Sequence, residues 1–419
     1  MNITPKVLVC SVNSWNSKVG DNTFSTLLEN CSKENIAVVF VREDEPDSTI
    51  CNKYFRISEG AVIKSILNPK VTTGRQIVVR NQDEKNVSKA LANAYKNKQG
   101  ILYYPKLIVR EVLWYFGKWE SKELDLFVDD FKPDIVLFEM SRYIHLNRII
   151  RYIINRTGAK GVGCFWDDTF TYKQEKGLGY KFLRFFQRRS LRELSKCTSD
   201  FFAITPKTKR EADAFFGINS IVLTKPMLSE KAVDDDIIIS DPIKLLYTGN
   251  LGIGRLDTLK LIVQAISGRT EFTLDVYTNT YISELDKRKI ETSNSHIHDA
   301  VSQEEVFKLQ KDADVLLFLE DVSEDNLIAR LSFSTKITDY YSAGKCIFAV
   351  GNKDLAPMEL LEESNSALIA HNAEEVVTCV DQLKKEEVIR YYAKRSRVTG
   401  REMHSVETIK KNFWDVLLR

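Results

Sequence analysis

Short apolar runs alternate with longer segments of helical periodicity along the first half of the chain. The apolar runs include KVLVCSV, IAVVFV, PDIVLFEM and KGVGCFW, and the segments between them include FSTLLENCSKE and NRIIRYIINRTG. Unbroken apolar runs of strand length, separated by helical segments, are typical of a parallel sheet that helices cover on both faces. The pattern therefore predicts a doubly wound, Rossmann-like α/β domain.

The alternation stops between Lys225 and Pro242, where two prolines and three consecutive aspartates occur in KPMLSEKAVDDDIIISDP. It then resumes with IKLLYTGNL, LDTLKLIVQAIS, FTLDVYT, SQEEVFKLQKDA and DVLLFLE, which predicts a second domain of the same type. The chain ends in helical segments with an apolar edge at Trp414, Val416 and Leu417. The predicted units are a first domain over 1–224, a linker over 225–241, a second domain over 242–398 and a C-terminal helix over 399–419.

The composition agrees with two folded domains and narrows the choice of partner. The chain has 419 residues, of which 43% are hydrophobic, and this length exceeds that of most single domains. Its 60 lysine and arginine residues nearly balance 58 aspartate and glutamate residues, which argues against a general nucleic-acid-binding protein. We therefore expect no nucleic-acid partner, and a ligand that is small or locally recognised.

Targeting and metal-binding signals are absent from the sequence. The stretch MNITPKVLVCSVNSW lacks the features of a signal peptide, and no window approaches the ~18 apolar residues of a membrane span. The seven cysteines include no C-x-x-C pair, which indicates neither a zinc site nor a disulfide framework. We expect a cytoplasmic protein that uses no metal.

A glycine-rich loop follows the first strand of the second domain, in YTGNLGIGR over 247–255. Ligands of open parallel sheets bind outside the carboxyl ends of the strands, and anions favour helix N-termini. Glycines let the backbone approach a ligand closely, and Arg255 offers bidentate donors to phosphate oxygens. A plain strand-to-helix turn is the other interpretation that stays open, and the spacing does not match G-x-G-x-x-G.

The stretch RLSFSTKITDYYSAGKCIFAVG places hydroxyl groups and a lysine at the start of a predicted helix. Ser334 or Thr335 would cap the helix and leave first-turn N–H groups for an anion. A cation such as Lys336 is unfavourable at a helix N-terminus, which hints at an anionic partner, and Asp339 lies on the same side one turn later. The alternative is a plain serine cap with a solvated lysine.

Several of these stretches together resemble glycosyltransferases of the GT-B fold. The resemblance rests on two tandem nucleotide-binding-type domains, on LLYTGNLGIGR, on DFFAITPKTKREADAFFG and on LSFSTKITDYYSAGKCIFAVG. It is strongest to the large retaining family that includes bacterial polysaccharide-assembly enzymes. The most specific pattern is K-[IL]-x-[DE]-Y-x-x-x-G, filled by Lys336, Ile337, Asp339, Tyr340 and Gly344.

The resemblance implies roles for residues of the second domain. Asp339 would accept hydrogen bonds from the nucleotide ribose, Gly249 and Asn250 replace the family's Gly-Arg pair at the diphosphate, and Arg255 falls on its phosphate-binding lysine. The family often has an acidic residue eight positions before the ribose carboxylate, but Leu331 stands there. Donor-sugar recognition must then differ. Possible substitutes, which could equally form a solvated acidic loop, are Glu320, Asp321, Glu324 and Asp325.

Two stretches of the first domain would face the cleft that a GT-B fold has between its domains. Gly20 lies in the polar loop SVNSWNSKVGDNTFSTLL, where it would touch the acceptor or the diphosphate, or belong to a flexible loop. Asp167 and Asp168 end a strand in CFWDDTF and are candidate catalytic residues that orient the acceptor. A role as ordinary loop acids stays open for both aspartates.

A basic and aromatic segment, YKFLRFFQRRSLRELSK over 180–196, has two interpretations. It would lie on an anionic membrane that holds a lipid-linked acceptor, at the inner face of the cell membrane. The alternative, which the sequence favours, is a surface helix whose aromatic face packs on the core.

These observations together predict a nucleotide-sugar-dependent glycosyltransferase, specifically a hexosyltransferase. The second domain would hold the donor, the first would present a glycan, lipid-linked or protein-linked acceptor, and the basic residues would stabilise the departing diphosphate. Bacterial surface polysaccharide or glycoconjugate assembly is the expected process, and retention of configuration follows only from the resemblance. A GT-B-fold sugar-nucleotide epimerase and a non-catalytic partner of a glycosyltransferase complex are the alternatives.

Overall fold

The computed structural model describes residues 5–16, 23–48, 50–77, 103–227 and 237–419, which form two α/β units. The sheet of the first unit has the strand order β4-β3-β2-β1-β5-β6-β7-β8, and its pairs are parallel except that β4 runs antiparallel to β3. Its strands are β1 (Val7–Ser11), β2 (Ile36–Phe40), β3 (Lys53–Ile57), β4 (Gly74–Ile77), β5 (Ile135–Glu139), β6 (Lys160–Phe165), β7 (Asp200–Ala203) and β8 (Ile221–Val222).

Helices cover both faces of this first sheet. Alternate residues of one strand enter opposite cores: Leu8 belongs to one hydrophobic cluster, whereas Val7 and Val9 belong to the other. This burial on both faces explains why the strands read as unbroken apolar runs rather than as alternating ones. The helices of this unit are Thr23–Leu28, the 3₁₀ turn Lys33–Asn35, Glu59–Ser65, Tyr103–Phe116, Lys122–Phe131, Ile144–Thr157, Leu178–Ser195 and Pro206–Phe216.

The second unit has a six-stranded parallel sheet with the order β11-β10-β9-β12-β13-β14. Its strands are β9 (Ile243–Thr248), β10 (Phe272–Thr278), β11 (Ser295–Asp299), β12 (Val315–Leu319), β13 (Cys346–Val350) and β14 (Leu368–Ala370). Its helices are Arg255–Ile266, Glu284–Ile290, Gln303–Asp312, Thr335–Ala343, Ala356–Glu363, Ala373–Leu383 and Glu386–His404. The described strands thus fall on either side of the predicted linker, whose limits stay a prediction.

The last helix, Val406–Leu417, crosses back to the first unit. Phe413 is fully buried in the same cluster as Val7 and Val9, with its ring centroid 5.7 Å from that of Phe202 on β7. Lys160 of β6 also donates a 2.7 Å hydrogen bond to the carbonyl oxygen of Val416. The predicted α/β architecture with a returning C-terminal helix is therefore confirmed.

Each sheet has a topological switch point, where consecutive connections leave in opposite directions. In the first sheet it lies between β1 and β5, and in the second between β9 and β12. Ligands of doubly wound sheets bind in the crevice outside the carboxyl ends of the strands at such a point. The two carboxyl edges face each other, because Ser332, beyond β12, donates a hydrogen bond to Asp167, which follows β6.

Candidate functional site

The glycine loop after β9 makes room for one lysine side chain. Gly249 has φ +134°, and a Cβ atom added there would lie 2.5 Å from Nζ of Lys336. The backbone conformation therefore requires glycine at this position, and the ammonium group occupies the space that a side chain would take. The loop brings Gly249, predicted from the sequence, directly against Lys336, predicted from a stretch 87 positions later in the chain.

Lys336 belongs to the first turn of the helix that begins at Thr335. Its half-buried ammonium group donates a 3.0 Å hydrogen bond to the hydroxyl oxygen of Tyr247 and lies 4.2 Å from the centroid of that ring. Burial, reinforced by the positive charge of Arg255, lowers the pKa of Lys336 to about 7, although Glu320 and Asp339 oppose the shift. Lys336 is therefore a cation whose charge is incompletely balanced by its surroundings.

The start of this helix differs from a simple capped helix. Ser334 occupies the N-cap position, as predicted, but its hydroxyl group forms no capping hydrogen bond, which corrects the expectation of a side-chain cap. Ser334 is half-buried and Thr335 is exposed. The N-terminal dipole of the helix and Lys336 thus act on the same region of the cleft.

Arg255, at the start of the helix Arg255–Ile266, is held by a neighbouring glutamate. Its guanidinium group pairs with both carboxylate oxygens of Glu320, at 2.9 and 3.1 Å, and Nε also donates to the carbonyl oxygen of Leu319 at 3.1 Å. Only 2% of Glu320 is exposed. The bidentate pair fixes the guanidinium group beside Lys336, and it commits Glu320 to Arg255 rather than to a donor sugar.

Asp339 and Asn250 complete the part of the site in the second domain. Asp339 is half-buried one turn after Lys336, and its charge acts on that lysine, as a location on the same side of the helix requires. Asn250 is exposed, and its carbonyl oxygen accepts a 2.6 Å hydrogen bond from the hydroxyl group of Tyr247. Tyr247 therefore connects the glycine loop with Lys336.

Two carboxylates of the acidic loop after β12 form contacts with other residues of the protein. Asp321 accepts hydrogen bonds from the Ser323 amide at 2.9 Å and from the Asn326 side chain at 2.8 Å. Asp325 is exposed and lies 2.6 Å from Lys176 of the first domain. These contacts favour the interpretation of a structural loop for Asp321 and Asp325.

The two predicted catalytic aspartates have different surroundings. Asp167 is half-buried at the cleft, where its carboxylate accepts the hydrogen bond from Ser332. Asp168 is fully buried and accepts a 2.9 Å hydrogen bond from the Thr171 amide, and it lies 3.3 Å from the guanidinium group of Arg330. Asp168 is thus not on the cleft surface, so the expectation that it orients an acceptor is replaced by a role in joining the domains.

Gly20, predicted near the acceptor, lies outside the described residues.

Sequence reasoning missed Glu139, the last residue of β5. Burial, together with the nearby charge of Asp167, raises the pKa of this half-buried glutamate to about 7, against the influence of Arg142. The available signal was the single acidic residue that ends the apolar run IVLFE. Perturbed carboxylates of this kind concentrate at functional sites.

The helix Leu178–Ser195 presents its phenylalanines to solvent, contrary to the interpretation favoured from the sequence. Leu178, Phe182, Phe185 and Phe186 are 87%, 54%, 55% and 42% exposed. The opposite side of the helix is buried through Tyr180, Leu183, Leu191 and Leu194. Lys181, Arg189, Arg192 and Lys196 are exposed on the same side as the phenylalanines. We call the eight exposed residues the basic-aromatic stripe: Leu178, Lys181, Phe182, Phe185, Phe186, Arg189, Arg192 and Lys196.

The described ranges contain neither a membrane-spanning helix nor a cluster of metal ligands. No helix there is long and apolar enough to cross a membrane. In the same ranges, no group of three histidine, cysteine, aspartate or glutamate side chains is arranged to hold a metal ion.

Comparison with known proteins identifies the fold. No protein-family model and no curated protein sequence matches the chain. Solved structures do match over nearly its whole length, among them HepE from Anabaena in complex with UDP, with a TM-score of 0.60, 10% identity and coverage of 98% of this chain and 99% of that chain. TarM has a TM-score of 0.61 at 12% identity, with 99% of both chains covered. The apo form of the lipopolysaccharide outer core galactosyltransferase WaaB has a TM-score of 0.61 at 14% identity, with 98% of both chains covered. The likeness establishes the GT-B fold.

Proposed function

We propose that this protein is a glycosyltransferase that moves a hexose from a nucleotide-diphosphate sugar to an acceptor held by the first domain. The observation that carries the proposal is the cluster of Lys336, Gly249 and Arg255 at the switch point of the second sheet. A lysine that is buried against another cation, at the start of a helix, gains most from a dianionic ligand. Matching structures hold UDP or UDP-glucose, which supports uridine nucleotides as the first donors to test.

The chemistry follows from the charge that develops when the sugar leaves. Breaking the bond between C1 and the diphosphate places negative charge on the phosphate oxygens, and fixed cations stabilise that charge without reorganisation. Lys336 and the N-terminus of its helix supply this stabilisation, while Glu320 keeps Arg255 in place. Asp339 accepts hydrogen bonds from the ribose, and Asn250 borders the diphosphate.

The acceptor is a glycan or a lipid- or protein-linked saccharide, used in bacterial surface polysaccharide or glycoconjugate assembly. The supporting likeness is to WaaB, whose name describes transfer to the lipopolysaccharide outer core. Retention of anomeric configuration stays a prediction of the resemblance, and independence of metal stays a prediction from the sequence.

The basic-aromatic stripe supports docking on an anionic membrane at the cytoplasmic side. Apolar rings would enter the interface while the flanking cations meet lipid phosphates. We expect the protein to co-sediment with vesicles that contain phosphatidylglycerol and not with vesicles of phosphatidylcholine alone. A variant with Phe182→Ser, Phe185→Ser and Phe186→Ser should lose this binding, whereas Tyr281→Ser, at an 89% exposed tyrosine of the second domain, should keep it. Equal binding by both variants would contradict membrane docking through the stripe.

Two measurements test the transferase function. Calorimetric titration with UDP should show binding that Lys336→Ala weakens at least tenfold. Lys260→Ala is the matched control. Lys260 lies on the helix Arg255–Ile266, which follows the glycine loop, and its ammonium group pairs with Asp257 and Asp286. Incubation with a panel of UDP-sugars and octyl glycosides should then release UDP and form a glycosylated product. Nucleotide binding without any product would point to a non-catalytic partner, and conversion of the donor alone would point to an epimerase.

A further inference from the structure

Residues 328–332 of the second domain, which we call the strap, are hydrogen-bonded to the first domain at both ends. At one end, the carbonyl oxygen of Ile328 accepts a 3.0 Å hydrogen bond from the side chain of Gln174. At the other end, the hydroxyl group of Ser332 donates to Asp167. Both partners belong to the loop that follows β6. The path of the strap is therefore set by the first domain as well as by the second.

The centre of the strap is buried in the first domain. Only 2% of Arg330 is exposed, and its guanidinium group contacts the carboxylates of Asp168, at 3.3 Å, and Glu211, at 2.6 Å. The next side chain, Leu331, lies in the hydrophobic core of the first domain. Asp168 follows β6, whereas Glu211 lies on the helix Pro206–Phe216, so one arginine joins two separate elements to the strap. Moving the strap away would leave buried charges unpaired, which is strongly unfavourable.

The strap connects one candidate site residue of each domain. Asp167 and Asp168 are consecutive, and the strap residues that contact them, Ser332 and Arg330, are two positions apart. Ser332 is followed after four positions by Lys336, in the first turn of its helix. The location of Asp167 relative to Lys336 thus depends on a short stretch of chain that Arg330 holds in place.

We propose that Arg330 is a positioning residue, which aligns an acceptor on the first domain with the donor sugar on the second. This inference rests on the proposed function and concerns the alignment of the same site. Arg330 itself is shielded from substrates and acts through the contact between Ser332 and Asp167. Alignment of two reactants supplies a large part of many rate enhancements, and a misplacement of about 1 Å can cost about 100-fold. Loss of alignment also lets water take the sugar, which releases UDP and free sugar instead of a glycoside.

The test compares Glu211→Ala, which removes one carboxylate from Arg330, with Glu359→Ala as the matched control. Glu359, from the second domain, pairs with Lys207 and Arg210 of the first domain. The exposed fractions of the two glutamate side chains, 27% for Glu211 and 21% for Glu359, are similar. Both substitutions therefore remove one carboxylate from an interdomain ion pair, but the first alone removes a partner of Arg330.

The expected effect is on transfer and not on nucleotide binding. With a UDP-sugar and an octyl glycoside that wild type converts, Glu211→Ala should lower kcat for transfer at least about tenfold and raise the share of donor lost to hydrolysis. Its UDP dissociation constant should stay within about twofold of wild type, because the proposed diphosphate contacts lie in the second domain. Glu359→Ala should match wild type in all three quantities. Glu211→Gln, which keeps an oxygen to accept from Arg330, should recover most of the rate.

A second variant tests the same alignment from the cleft side. Ser332→Ala removes the hydrogen bond to Asp167 with little change in volume, and it should also raise the share of donor that is hydrolysed. If Glu211→Ala does not fold, Ser332→Ala decides in its place.

The ratio of hydrolysis to transfer separates alignment from stability, because partial unfolding lowers both reactions in proportion. A wild-type protein that transfers sugar, with an unchanged ratio in Glu211→Ala, overturns the inference alone, whether or not the rate falls. An equal change of the ratio in Glu359→Ala, or a weakened affinity for UDP in Glu211→Ala, would assign the effect to domain contact in general or to the donor site, and would overturn it as well. A wild-type protein that forms no product overturns the proposed function, and this inference with it.

Discussion

The guanidinium group of Arg330, from the second domain, lies 3.3 Å from the carboxylate of Asp168, from the first, and both side chains are shielded from water at 2% and 0% exposure. Arg330 also pairs with Glu211 of the first domain. The adjacent Leu331 belongs to the core cluster of the first domain, and its carbonyl oxygen accepts a 2.9 Å hydrogen bond from Thr208. The segment that leads into the helix Thr335–Ala343 is thus anchored in the first domain, which connects the two halves of the candidate site.

This anchor predicts a large stability effect. Arg330→Met should lower the free energy of unfolding by about 3–5 kcal/mol, because it leaves the buried Asp168 carboxylate without its cation. Lys176→Met is the control: it removes an interdomain pair with Asp325 whose side chains are both 83% exposed, and such pairs contribute little. Denaturant titration of both variants checks the difference. Similar curves for Arg330→Met and wild type would show that the buried pair does not hold the domains together.

The lowered pKa of Lys336 predicts that nucleotide affinity depends on pH. Below about pH 7 the free protein already carries the charged ammonium group, so UDP binds without proton uptake. Above that pH the lysine is neutral and must take up a proton, and affinity should fall up to tenfold for each pH unit. Calorimetry at pH 8 in buffers of different ionisation enthalpy should show proton uptake in wild type. Lys336→Met should lack that uptake, and uptake that persists unchanged in the variant would assign it to another group.

The ribose contact proposed for Asp339 can be tested separately from a role in stabilising the helix. Wild type should bind UDP more tightly than at least one of its 2′- and 3′-deoxy analogues, since a missing hydroxyl group leaves a carboxylate oxygen unpaired. Asp339→Asn should lose most of this discrimination, which titration with the three nucleotides measures. Equal discrimination by wild type and variant would leave Asp339 with an effect on the helix alone and place the ribose elsewhere.

The glycine loop gives a prediction with an internal control. Gly249→Ala should weaken UDP binding at least tenfold, because the added Cβ atom would displace the ammonium group of Lys336. Gly177→Ala is the matched control, because Gly177 also has a large positive φ, +116°, but a Cβ atom there meets nothing within 4 Å. Both variants should be less stable, and only Gly249→Ala should lose affinity. A comparable loss in both would mean that backbone strain, rather than the displaced lysine, is responsible.

The returning helix should contribute to the stability of the first domain although it ends the chain. Phe413→Ala should cost about 3–5 kcal/mol, since the ring is fully buried against Phe202. Asn412→Ala changes the exposed neighbouring residue and should have little effect. Calorimetric melting of both variants measures the contribution, and an unchanged transition in Phe413→Ala would show that the helix is only loosely attached.

The sequence by itself determined the two α/β units, because unbroken apolar strands and intervening helices are local patterns with fixed periods. It also indicated the loop at Gly249 and the helix start at Lys336. A glycine-rich turn after a strand, and a lysine at the N-terminus of a predicted helix, are visible in the residue types alone. The pairing of Arg330 with Asp168, 162 positions apart, came only with the tertiary structure. So did the perturbed Glu139 and the outward direction of Phe182. Burial and charge at these positions depend on which distant elements pack together, and no local pattern specifies those contacts.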